Sequence, residues 1–204
     1  MSEQRDRILK RVTEALAPLP ERAAYPDYDP SMAVTYPADD PNPWGRFKAM
    51  FAAVNGRSFE SISELGAWLV QAGCLAGCCD PDLMDVLRPE LPDELRIETV
   101  CDRERIDDYA FGITRARGAV AESGSLVLDD ATTWSRLAAL APWVHIAVLR
   151  RRDLWRDIPA ALGQIGDDPN VIWVTGPSKT ADIEGILIEG VHGPGEQICL
   201  LLDE

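Results

Sequence analysis

The sequence predicts an α/β fold, a three-layer α/β/α sandwich built round a mainly parallel sheet. Three observations predict it. Short, largely apolar runs recur from Cys74 to Leu202, which is how strands covered on both faces read. Capped or amphipathic helical segments alternate with them, the rhythm of βαβ units. A hydrophobic fraction of 46% over 204 residues is enough for one core of ordinary domain size.

The elements follow in order. From Asp6 to Leu16, the residues Ile8, Val12, Ala15 and Leu16 recur at helical spacing among Arg, Lys and Glu, and Pro18 and Pro20 stop the helix. Between Pro18 and Pro43 lie seven of the fifteen prolines, together with Tyr25, Tyr28 and Tyr36. That composition makes an extended arm, suited to wrapping the body or a second copy in a homo-oligomer. Residues 1–43 therefore read as a helix and a Pro-rich arm, and residues 44–204 as the α/β domain.

Within that domain Trp44 to Val54 resumes helical spacing, Arg57 to Phe59 starts a new element, and Ser61-Ile62-Ser63-Glu64 forms a capping box opening a helix to Gln71. A strand at Cys74–Cys78 precedes a helix from Pro81 to Leu87 with Asp80 as N-cap. Strands are predicted from Arg96, Tyr109 and Ser125, a helix over Thr133–Leu140, a strand over Val144–Leu149 and a helix over Leu154–Ile165. The last strands are Val171–Val174, Ile186–Ile188 and Ile198–Leu202. In such sheets ligands gather beyond the carboxyl ends of the strands, so the segments leaving those ends are the first places to search.

Charge narrows the ligand. With 34 acidic and 20 basic side chains the net charge is -14, which argues against a broad cationic face and hence against nucleic acid. Of the three successive stretches 1–108, 109–157 and 158–204, only the second has a basic excess, 7 against 5, room enough for one small anion. The longest apolar run, Leu137 to Leu149, is interrupted by Pro142 and His145 and is too short to span a membrane. The first residues, MSEQRDRILKRVTEAL, mix acid with base and lack an apolar region, so the cytoplasm is the expected address. Five cysteines, an odd count, fit free thiols in a reducing compartment.

Four groups carry candidate chemistry. Cys74, Cys78 and Cys79 give C-x3-C-C, without the paired spacing of a zinc or iron–sulfur site, so core packing is the expectation. His145 sits within the apolar VHIAVL and reads as a core histidine. His192, in GVHGPG, either faces a ligand or steadies its turn.

TGPSKTADIE, from Thr175 to Glu184, follows the apolar VIWV directly. It lacks the glycine before Lys179 that a Walker loop requires. It reads either as an anion-binding turn, with Lys179 as point charge and Asp182 or Glu184 as acid or base, or as a capped helical turn with those carboxylates in solvent. Between Gly112 and Asp130, Glu122 stands among small residues. It serves as base or nucleophile if desolvated, or holds the loop by pairing with Arg115 or Arg117.

Together, GITRARGAVAESGSLVL (112–128), APWVHIAVL (141–149) and VTGPSKTADIEGILIEGVHGPGE (174–196) resemble the LUD domain family, and within it the lactate utilization protein C group. The resemblance implies a NagB/RpiA/CoA-transferase-like fold and a role in oxidising L-lactate to pyruvate beside iron–sulfur partner subunits. This chain lacks the clustered C-x2-C-x2-C runs such subunits carry, so no cofactor is expected in it and the clusters are expected on the partners. A dinucleotide fingerprint G-x-G-x-x-G is also missing.

The family motif positions are Thr175, Gly176, Pro177, Ser178, Thr180, Asp182, Glu184, His192, Gly193 and Pro194, with Lys179 where a basic residue is expected. Glu122-Ser123-Gly124 has the E-x-G shape that some CoA transferases of this fold use for their nucleophile. The candidates are thus Glu122, Asp182, Glu184 and His192 for catalysis, and Arg115, Ser123, Gly124, Thr175, Gly176, Pro177, Ser178, Lys179, Thr180 and Gly193 for a small carboxylate or phosphate-like ligand. Two alternatives stand beside the lactate role: a stand-alone transferase or isomerase acting on a phosphorylated or CoA-linked metabolite, and a regulatory module that binds a small anion.

Overall fold

The computed structural model describes residues 3–18, 40–166, 170–181 and 186–203. They belong to two units, residues 1–35 and 36–204. The first contains the helix α1 (Glu3–Leu16). The prolines and tyrosines from Pro20 to Pro37 lie outside the described residues.

The second unit is built on six strands: β1 (Arg57–Phe59), β2 (Ala76–Cys79), β3 (Arg96–Glu98), β4 (Phe111–Arg115), β7 (Val144–Arg150) and β12 (Glu196–Leu202). They lie in the order β1-β12-β7-β4-β2-β3, and every neighbouring pair is parallel. The predicted mainly parallel α/β fold is therefore present. Strand period 2 divides the core between the two faces. Val144, Ile146 and Val148 of β7, with Phe111 and Ile113 of β4 and Ile198 and Leu200 of β12, pack on one face. Against them lie α3 (Ile62–Gln71), capped by Ser61, and the turn leading into α4 (Met84–Leu87), capped by Asp80 as the sequence indicates.

Ala147, Leu149, Cys199 and Leu201 face the other way, toward α2 (Pro43–Ala53) with its stacked Trp44, Phe47 and Phe51. Fully burying one such aromatic or leucine contributes about 1.5–3 kcal/mol, so both faces are strongly held. On this side α5 (Arg136–Leu140) lies flush on β4, because Gly112 has no side chain; a Cβ there would overlap the carbonyl oxygen of Ala138.

The same side carries a feature absent from the predicted layout, a four-stranded sheet in the order β8-β5-β6-β9. Its members are β5 (Gly118–Val120), β6 (Ser125–Asp129), β8 (Leu154–Trp155) and β9 (Val171–Val174), and β6 runs antiparallel to both β5 and β9. The VIWV strand thus belongs to this sheet and not to the parallel one, which corrects the expectation that Thr175 leaves a parallel sheet at its carboxyl edge. The helix predicted from Leu154 starts instead at Ile158, as α6 (Ile158–Ile165), because Asp157 caps it and Pro159 enters its first turn while Leu154 and Trp155 pair with β5. The helix predicted from Thr133 starts at Arg136, capped by Ser135. The last two strands, β10 (Lys179–Ala181) and β11 (Leu187–Glu189), form a separate antiparallel pair.

Candidate functional site

Two loops, one on each side of the β10–β11 pair in the chain, close on each other beside β9. The amide of Ser178 donates to the carbonyl of Pro194 (2.9 Å), and the amide of Gly190 donates to the carbonyl of Ser178 (2.9 Å). Trp143 braces the second loop by packing where side chains on Gly190 and Gly195 would stand. Gly176 turns the first loop with φ +84°, and its bare Cα faces the carbonyl oxygen of Val54 at the end of α2.

Between the loops is a cleft of about 400 Å³, whose lining includes Thr175, Gly176, Pro177, Ser178, His192, Gly193 and Pro194. Its walls are otherwise mostly apolar, with Leu140, Ile172 and Trp173, and among the described residues its lining includes no acid, lysine or arginine. The polar equipment is therefore two hydroxyls, one imidazole, backbone amides and an amide side chain, that of Gln197. Such a set orients a small ligand by hydrogen bonds and lacks the cations that a diphosphate needs.

Gln197 connects the cleft to a buried polar chain. Its amide meets Nδ1 of His145, with Nε2 at 2.8 Å and Oε1 at 3.1 Å, and His145 Nε2 lies 2.9 Å from the hydroxyl of Thr114. All three side chains are buried on one face of the sheet, since Gln197 stands directly beside His145 in register and Thr114 pairs with Ala147, two residues along the same strand. In either tautomer both ring nitrogens have partners. Burial pushes the imidazole down to about 4, so it is neutral at physiological pH. His145 is thus a satisfied core histidine, as its apolar strand suggested.

A second polar chain steadies the first loop. Thr175 Oγ1 lies 2.7 Å from Ser125 Oγ, which lies 2.8 Å from Ser123 Oγ. Ser123 thereby reaches the cleft through intermediaries, and Gly124, with φ +65°, lets the turn press against the backbone of Phe51.

The other sequence candidates go elsewhere. Lys179 turns to Glu189 (3.4 Å) and the carbonyl of Val54, and does not line the cleft. The Glu189 carboxyl is held below its usual range, first by Asn55 and then by Lys179. Thr180 is part of the β10–β11 pair, opposite Ile188. Asp182 and Glu184 lie outside the described residues. Glu122 accepts a hydrogen bond from the amide of Ile158 (3.4 Å) at the first turn of α6. Neither expected arginine pairs with it, for Arg117 faces Asp129 (3.5 Å) and the carbonyl of Gln164, and Arg115 is directed toward Asp82 (3.9 Å).

Arg115 enters a different cavity, of about 410 Å³, with Asp80, Asp82, Asp130, Thr132 and Thr133. Sequence reasoning singled out Arg115 but not the acids around it, because Asp80 reads as a helix cap and nothing local joins residues 80, 115 and 130. Gln197 was likewise overlooked, although a polar residue opening the apolar run ICLLL was the signal available.

The family model for the LUD domain matches residues 82–202, more than half of the chain. Curated relatives include a lactate utilization protein C of Deinococcus radiodurans, 31% identical over 54% of this chain and 51% of its own length. Another, from Oceanobacillus iheyensis, is 36% identical over 45% of this chain and 43% of its own. This chain spans about half the length of the curated relatives it matches. Among solved structures, a DUF162 family protein from Deinococcus radiodurans has TM-score 0.57 at 18% identity, covering 81% of this chain and 99% of that one. That similarity is one of fold.

Proposed function

We propose that this chain, which belongs to the LUD domain family, takes part in lactate utilization as a subunit that works beside iron–sulfur proteins in oxidising L-lactate to pyruvate. One observation carries the reading. The two ends of the stretch 174–196, the part that most specifically resembles lactate utilization protein C, converge on one cleft with a hydrogen-bonding lining. Through it the chain engages a small carboxylate such as lactate, or the neighbouring subunit that holds one.

Lactate gives up two electrons and two protons on becoming pyruvate, and something must accept the electrons. The chain's own thiols are poor candidates for holding a cluster. Their spacing lacks the clustered C-x2-C-x2-C run that iron–sulfur subunits carry. This supports placing the clusters on partner proteins.

The test is genetic and biochemical together. Deleting the gene in its native host abolishes growth on L-lactate, and the wild-type chain restores it, whereas a chain carrying Ser178→Ala and His192→Ala does not. Affinity purification of the tagged chain at low salt brings down a protein with an iron–sulfur absorption spectrum. Undiminished growth of the deletion strain on L-lactate refutes the proposal.

A further inference from the structure

The chains leaving β2 and β4, which are parallel neighbours, diverge to opposite faces of the sheet. Leu83 and Leu87, after β2, join the core on one face, and Ala116, after β4, joins the core on the other. Such a divergence opens a crevice at the carboxyl edge of a parallel sheet, where ligands of α/β proteins bind. The cavity of Asp80, Asp82 and Arg115 is that crevice.

Its charges are incompletely matched from within. Arg115 has a buried Nε without a hydrogen-bond partner, and its ion pair with Asp82 is long, 3.9 Å, to a carboxylate that is 79% exposed. Asp80 is only 3% exposed, and its Oδ1 caps the following turn by accepting from the amide of Asp82 (3.0 Å). Its other oxygen has no hydrogen bond among the described residues. Asp130 is already engaged by Arg136 and by Asn170. The crevice therefore offers one open guanidinium for a carboxylate and one open, nearly buried carboxylate for a donor, with acid in excess over base.

We propose that this crevice is a second ligand site, distinct from the cleft of Ser178 and His192, and that it takes a small α-amino acid zwitterion. Arg115 grips the carboxylate and Asp80 receives the ammonium. A dianion such as phosphate is disfavoured by the surplus aspartates, and a hydroxy acid of the same shape offers Asp80 only a neutral donor. The inference rests on the crevice's own charges and not on the lactate reading.

L-Alanine and L-lactate differ only in that ammonium and hydroxyl, so they are the natural pair of probes. Calorimetric titration of the full chain is expected to show L-alanine binding at least roughly tenfold tighter than the Arg115-dependent binding of L-lactate, with no phosphate binding at this site. Arg115→Gln weakens L-alanine by roughly thirtyfold or more, and Arg115→Lys, which keeps the charge but loses the fork, by less. Asp80→Asn preserves the cap, because an asparagine oxygen accepts the same amide, yet removes the preference for L-alanine over L-lactate. Ser178→Ala changes none of this. The proposal is overturned if wild type does not bind L-alanine, if the Arg115 variants bind it as wild type does, if Asp80→Asn keeps the preference, or if Ser178→Ala is the change that abolishes binding. None of those results touches the growth phenotype that tests the lactate role.

Discussion

Nδ1 of His145 lies 2.8 Å from the side-chain amide nitrogen of Gln197, so a neutral, fully buried imidazole stands directly behind a residue that lines the candidate cleft. The pair makes the stability of the sheet sensitive to acid.

Burial holds the folded-state value of His145 at about 4, against an ordinary 6.5. Below pH 6.5 the unfolded chain takes up a proton that the folded chain refuses until about pH 4. The stabilisation is therefore complete above pH 6.5 and declines as the pH falls between those values, by on the order of 3 kcal/mol in all. Urea midpoints at pH 7.0 and 4.5 should differ accordingly. His145→Gln should flatten that difference, and an unchanged pH dependence in the variant would assign it to other groups.

Two glycines should respond oppositely to alanine. Gly124 has φ +65°, and a Cβ there would overlap the backbone nitrogen of Phe51, so Gly124→Ala should cost more than about 2 kcal/mol and displace α2. Gly163 lies within α6 with nothing near its missing Cβ, and Gly163→Ala should stabilise by about 0.5–1 kcal/mol. Denaturant unfolding of both variants checks the contrast.

Ser125 is buried and joins Ser123 to Thr175. Ser125→Ala should cost about 1–2 kcal/mol by leaving both neighbouring hydroxyls without that partner. It should also loosen the Thr175 loop, which is measurable as faster amide exchange at Gly176. Exchange at the wild-type rate would show that the backbone contacts of Gly176 hold the loop unaided.

Lys179 and Glu189 form a pair whose side chains are 32% and 37% exposed and do not line the cleft. Lys179→Met should therefore cost less than about 1 kcal/mol and support full growth on L-lactate in the deletion strain. Loss of growth with normal folding would return Lys179 to the binding site where its sequence neighbours stand.

The sequence determined the architecture because its signals are local. Ser61 and Asp80 announce their caps within three residues, apolar runs such as VHIAVL declare strands covered on both sides, and Gly176-Pro177 and the glycine-rich block at 190–195 mark loops. What it left open depends on distances between residues far apart in the chain. VIWV has the same pattern in either sheet, and only its pairing with β6 decides which one it joins. Glu122 and Arg115, seven positions apart, diverge to a helix amide and a separate crevice because β5 carries the chain away from the parallel sheet. Thr114, His145 and Gln197 become one chain of hydrogen bonds through the register of three strands. Register is a tertiary property, since each strand's apolar pattern specifies which face it buries but not which neighbour it meets.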